Sequence, residues 1–238
     1  MKRLAIWPFA TPMNDAGEMM DSFQSAYSRG LCRVLGERLL AAGVCDIAVC
    51  LPVIATGKMT SWAVVGRAWS VMDALKVALP ERTDFLMWGS LSITQDCEIH
   101  ALVASKSREQ LLIDRGFTFH RSELPNCLSE TVAMVARAIT ERQLTREEHE
   151  SLQCWGTSDS EAFLAYLVAW SAAAAFRFGI SYDNPRGAFD SAVIATRLDP
   201  NFVAARRLRE ELNDPSGVPT ELRGYAEFSC PVACERSR

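Results

Sequence analysis

The sequence predicts an α/β (α+β) protein: a mixed sheet of about five strands with flanking helices, then a small all-helical unit. Three observations predict it. Short apolar runs of strand length alternate with helical stretches as far as residue 139. After residue 143 no strand pattern returns. Two capping-box patterns, Thr145 to Glu148 and Ser158 to Glu161, open that later part instead.

In chain order, residues 4–9 read as a strand stopped by Pro8 and by the turn-rich Thr11-Pro12-Met13-Asn14-Asp15 stretch. Asp21 or Ser22 then caps a helix to about residue 42, with Phe23, Tyr27, Leu31 and Val34 as its buried stripe and Gly43 closing it. Residues 46–51 form a buried strand bounded by Pro52. Residues 62–79 read as a helix ended by Pro80. A three-strand meander follows at 85–93, 97–104 and 111–119, with Gly116 as a bend. Cys97, Ile99, Ala101 and Val103 fall on one face of the middle strand, Glu98 and His100 on the other. A helix from Asn126 or Ser129 carries Val132, Val135 and Ala138. Helices at 145–154, 159–178, 185–198 and 200–212 complete the pattern, the last two opened by Asn184-Pro185 and Asp199-Pro200. The boundary between the two parts falls near 143–157, giving units at 1–143 and 144–213 and a tail at 214–238.

Composition narrows the function classes. Apolar residues make up 49% of the chain and charged residues 23%, which suits a folded core and argues against disorder. The net charge is -4 and no segment is strongly basic, so nucleic-acid binding is disfavoured. Arg206, Arg207 and Arg209 sit beside Glu210 and Glu211 and read as a solvated face. The basic and apolar start at Lys2-Arg3-Leu4 is too short for a leader and is interrupted by Pro8. A bilayer span takes roughly 20 apolar residues in a row. No run here approaches that length, so no membrane insertion and a cytoplasmic location are expected. The eight cysteines are scattered, mostly within apolar segments, and read as free core residues. Cys230 and Cys234 could pair, but two ligands fall short of a structural zinc site.

Three places carry a family resemblance. Leu4-Ala5-Ile6-Trp7-Pro8-Phe9 resembles the opening strand of TolB N-terminal-like (FlgO-like) domains. Asp84-Phe85-Leu86-Met87-Trp88-Gly89-Ser90-Leu91 is similar to that family's Gly-Ser strand, and residues 97–119 are similar to its hairpin. The order of elements agrees across residues 3–142. In the later part, Gly156-Thr157 and residues 162–167 resemble the lead-in to a degenerate tetratricopeptide (TPR) repeat, with Ala188, Ala195, Leu198 and Pro200 at that family's spacing. Ala169 and Ala192 depart from it, standing where glycine and an aromatic are usual. The pairing of the two families implies a bacterial sensor, adaptor or scaffold role built on binding and assembly, and it offers no catalytic residue.

Chemical signatures are sparse. Gly57-Lys58-Met59-Thr60 lacks the leading glycine of a phosphate loop, and the three histidines, His100, His120 and His149, do not share metal-ligand spacing. No nucleophile elbow occurs. No enzyme, cofactor or metal is therefore expected. Of the six tryptophans, Trp7, Trp62, Trp69 and Trp88 fall in core elements; Trp155 and Trp170 serve either packing or docking.

The repeat array ends after about one and a half units, fewer than the three a solenoid generally needs. The stripe Phe202, Ala205, Leu208 and Leu212 then requires cover from the α/β part, the tail 218–234 or another chain. We expect a protein partner or homo-oligomer to supply part of it, with Trp155, Tyr166, Trp170, Phe202, Leu208 and Leu212 as docking residues. The expected function is a non-enzymatic adaptor or accessory subunit. The alternative is a regulatory domain that binds a small molecule and signals through its helices.

Overall fold

The computed structural model describes residues 2–13, 22–56, 59–62, 65–77, 82–177, 180, 187–213 and 226–231. Among them, strands β1 (Arg3–Ile6), β2 (Asp46–Thr56), β3 (Met59–Trp62), β4 (Phe85–Ser92), β5 (Asp96–Ser105), β6 (Gln110–His120) and β7 (Ala226–Pro231) form one sheet. Its order is β3-β2-β1-β4-β5-β6, with β7 on β2. The pairs β1–β2, β1–β4 and β2–β7 are parallel; β2–β3, β4–β5 and β5–β6 are antiparallel. The helices are α1 (Ser22–Ala41), α2 (Val71–Lys76), α3 (Leu124–Thr140), α4 (Arg146–Gln153), α5 (Ser160–Arg177), α6 (Gly187–Leu198) and α7 (Val203–Asn213). The mixed α/β class predicted from the sequence is the class observed.

Two strands exceed the five expected, β3 and β7. The sequence predicts a helix opening at residue 62, but that residue ends β3, where Trp62 pairs with Val53. The helix that does form is short. Trp69 packs edge-on against Trp7, ring centroids 4.7 Å apart, and its carbonyl accepts a 3.0 Å bond from Trp88 Nε1. Those contacts hold residue 69 outside a helix, and Ser70 caps α2 by accepting from the Asp73 N–H. Pro52 does not end β2. The β1 pairing stops at Val49, so among the described residues Pro52 pairs with β7 alone and its missing N–H breaks no bond to β1. β1 itself ends at Ile6, although Trp7 and Ala10 still donate to the Met87 and Gly89 carbonyls of β4.

One sheet face carries Leu4, Ile6, Val49, Leu51, Met87, Leu91, Ile99 and Val103, and α1 and α3 lie upon it. The alternation expected for the middle strand is present: Cys97, Ile99, Ala101 and Val103 all belong to this core. The stripe expected on α1 holds for Tyr27, Leu31 and Val34, whereas Phe23 is exposed. Gly43 closes α1 in the left-handed region, at φ +67°, with Val44 N–H donating to the Leu39 carbonyl. On the opposite face Ala5, Trp7, Ala48, Cys50, Leu86 and Trp88 pack under α2 and Trp69.

The apolar core continues from the sheet through α1 and α3 to α5 and on to Phe202, Ala205 and Leu208. α5 is enclosed along Ala162 to Ala175 except at Ala165. Its N-terminus is capped by Asp159, which accepts from the Ala162 N–H at 2.9 Å, rather than by the Ser158 to Glu161 box. Glu161 instead takes a two-pronged bond from Arg121, at 2.5 and 2.8 Å. The expected start at Pro185 lies outside the described residues.

Candidate groove beside the edge strand

β6 is the last strand of the sheet order, so one side of its backbone pairs with β5 and the other has no strand neighbour among the described residues. The β5 register puts Arg115 opposite Ala101 and Phe117 opposite Ile99, on the face that bears α3. α3 turns Leu128, Val132, Val135 and Ile139 into the core. Its other side presents Asn126, Ser129, Glu130, Met134 and Arg137 at helical spacing. His149 and Gln153 of α4, with Trp155, form the far wall. Together they line a groove of about 860 Å³.

The groove mixes an apolar floor with cations. The Arg115 guanidinium lies 5.9 Å from the Phe117 ring centroid. Neither Arg115 nor Arg137 forms an ion pair among the described residues; Glu130 is the carboxylate on the lining. His149 is bonded to Gln153 at 3.2 Å. The α4 wall is fixed by the expected capping box: Glu148 N–H donates to Thr145 Oγ1, and Thr145 N–H donates to Glu148 at 2.8 Å. The Arg142 guanidinium, then the Thr145 N–H, hold the Glu148 carboxyl down at about 2.

The docking residues expected from sequence are placed differently. Trp155, Tyr166, Trp170, Phe202 and Leu208 are all buried within the chain itself, and Leu212 is half-buried. Trp155 Nε1 donates to Ser129 Oγ at 2.7 Å, and its ring meets Phe163 edge-on at 5.8 Å. Tyr166 and Phe202 have centroids 5.0 Å apart, and Trp170 lies under Arg33 at 5.8 Å. The α7 stripe is thus covered by α5, α6 and the Gly156 turn. β7, the described part of the tail, pairs with β2. Exposed apolar side chains occur at Val203, where α7 begins, and at Ile194 and Leu198 of α6, the latter two beside Phe23 and a cleft of about 170 Å³.

The histidines serve local structure. His120 Nδ1 accepts from the Ser122 N–H in a capping arrangement, and His100 lies 2.6 Å from Asp114. Burial pushes the Cys45 and Cys127 thiols up to about 12 and raises Cys32 further, so these thiols stay protonated. Among the described residues no group of His, Cys, Asp and Glu could hold a metal ion, and no helix is long and apolar enough to cross a membrane. Gly57 and Lys58, and the side chains of Cys230 and Cys234, lie outside the description. Sequence reasoning misses Arg115, Phe117, Met134 and Arg137. The available signals are the outward stripe 126, 130, 134, 137 on α3 and the strand alternation of 115 and 117.

The site belongs to a mixed α/β sheet protein with α1 and α3 on one face of the sheet and the short α2 on the other. No family model matches the chain, and no curated protein matches it. Among solved structures it is similar to TolB from Acinetobacter baumannii, at a TM-score of 0.36 and 14% identity. That likeness covers 59% of this chain and 28% of TolB, so the chain spans under a third of that protein.

Proposed function

We propose that this chain is a non-enzymatic interaction module that takes an extended, acidic segment of a partner protein along β6. The observation that carries the reading is an eleven-residue strand with one edge unpaired among the described residues, beside a groove with two uncompensated guanidiniums. An added strand would satisfy the outer backbone groups of β6, while its side chains reach Phe117 and Met134, and Arg115 and Arg137 select carboxylates. Free edges are normally blunted by charge. Here the charges on the groove side choose the partner's sign. The resemblance of residues 3–142 to TolB N-terminal-like domains supports the same reading, because it implies binding and assembly. The protonated, enclosed thiols of Cys32, Cys45 and Cys127 are unsuited to act as nucleophiles, which need the opposite environment.

Random peptides displayed on phage and selected on the full chain test it. Selected peptides are expected to be acidic and to protect β6 amides from hydrogen exchange. Arg115→Glu with Arg137→Glu should weaken them at least about tenfold, in keeping with desolvated charge pairs. Protection confined to α6, or affinity unchanged by the charge reversals, would overturn the proposal. A dimer of the chain that protects β6 without any peptide would also overturn it, by assigning the edge to a second copy.

A further inference from the structure

In open sheets with parallel strands, ligands collect at the carboxyl ends of two neighbours whose connections leave in opposite directions. β1 and β4 are such a pair: they run parallel and adjacent, and β1 leads through α1 to β2 on one side while β4 turns to β5 on the other. A cavity of about 410 Å³ lies there. Small-ligand sites typically enclose about 300–1,000 Å³. The cavity is distinct from the groove beside β6 and shares no lining residue with it.

Its lining mixes apolar residues with Thr11, Arg67, Ser90, Ser92 and Glu98, and part of it is fixed by backbone bonds. The chain leaving β1 is pinned to β4 by Ala10 N–H to the Gly89 carbonyl at 2.8 Å and Leu91 N–H to the Ala10 carbonyl at 2.7 Å. The Thr11 N–H donates to the Val65 carbonyl at 2.8 Å. Thr11 stands at the cavity wall, 3% exposed, and its enclosed Oγ1 makes no hydrogen bond among the described residues. Buried hydroxyls are almost always bonded, so an orphan one beside a cavity calls for a partner, which a ligand atom would supply. Ser92 stands opposite Glu98 in the β4–β5 register, and Ser90 lies two residues before it on the same face. Arg67 and Glu98 both line the cavity, and neither forms an ion pair or hydrogen bond among the described residues.

We propose that this cavity binds a small zwitterion of the α-amino acid class, its carboxylate on Arg67, its ammonium on Glu98 and a polar atom on Thr11 Oγ1. An unpaired cation and an unpaired anion lining one cavity match a ligand carrying both charges, whereas a simple anion or cation would leave one of them idle. The orphan hydroxyl supplies the directional contact.

Thermal shift and calorimetry on the full chain, with the common α-amino acids at millimolar concentration, test the assignment. At least one should raise Tm, while its decarboxylated amine and its deaminated acid should not. Glu98→Gln and Arg67→Gln, both at exposed positions, should each lower affinity at least about tenfold and leave the Tm of the free protein unchanged. Thr11→Val should raise the Tm of the free protein, by removing the orphan hydroxyl, and weaken the ligand. Absence of a shift with every amino acid, equal binding of the amine or acid alone, or full affinity in both charge variants would overturn the proposal. These outcomes are independent of peptide binding at β6, so either site can fail without the other.

Discussion

Gly30 of α1 lies against Leu167 of α5 so closely that a Cβ at position 30 would stand 2.6 Å from the Leu167 carbonyl oxygen and 2.8 Å from its Cβ. Backbone, not a movable side-chain end, forms the obstacle. The two helices can approach this far only because one of them lacks a side chain there. Arg29 Nε donates to Ser171 Oγ at 2.9 Å across the same crossing. Gly30→Val should therefore force the helices apart and cost about 1–3 kcal/mol, as overpacking does. Urea denaturation followed by tryptophan fluorescence and by circular dichroism measures it. Because the core runs unbroken through this contact, both signals should move together in a single transition. Separate transitions would mean that residues 1–143 and 144–213 fold as independent units.

The buried thiols make stability fall in alkali. Cys45 and Cys127 titrate at about 12 in the fold against an ordinary 9.0, because burial disfavours the thiolate. Above pH 9 the unfolded chain releases protons that the native chain keeps. Their contribution is complete below pH 9 and is lost as pH rises toward 12. Denaturation midpoints measured on both sides of pH 9 should show the decline, and Cys45→Ala with Cys127→Ala should make it shallower, leaving the part that Cys32 and Cys97 contribute. At neutral pH a thiol reagent should label Cys154, which is exposed, and leave the five buried cysteines of the described residues untouched until unfolding.

Acid acts on α4. Glu148 is held at about 2, first by Arg142 and then by the Thr145 N–H. Its contribution is present above the ordinary 4.5 and is lost as pH falls toward 2. A carboxyl-carbon NMR titration should place the Glu148 midpoint near that lower value, and Arg142→Gln should raise it toward 4.5. Unchanged titration in the variant would remove Arg142 as the cause.

Local signals made much of this fold legible. The five core strands were readable because apolar runs and period-2 alternation, as in Cys97, Ile99, Ala101 and Val103, report burial directly. The Thr145 to Glu148 cap was readable because its partners are three residues apart. β3 and β7 were not. β3 depends on β2 continuing past Pro52, and β7 on a distant segment pairing with Ala48 to Val53 of β2. The second box failed because Glu161 found Arg121, forty residues away, and Asp159 took the cap. The groove beside β6 was hidden for a similar reason: Arg115 and Arg137 meet only once α3 is laid across the sheet.

The terminal stripe shows the same limit and carries the last test. A helix face that is apolar in sequence demands cover, but the sequence does not say whose. Here Phe202 packs on Tyr166 and against the turn at Gly156, and Trp155 is locked by Ser129 and Phe163. Phe202→Ala and Trp155→Ala should each cost about 3–5 kcal/mol, the range for emptying a large aromatic site. Trp155→Phe should keep most of the packing and lose about 1 kcal/mol with the bond to Ser129. Docking residues on a free surface would behave in the opposite way, leaving the urea midpoint unchanged while partner binding fell. Measuring stability and selected-peptide affinity on the same Phe202→Ala protein separates the two: a large loss of stability with affinity retained under native conditions is the outcome that core packing requires.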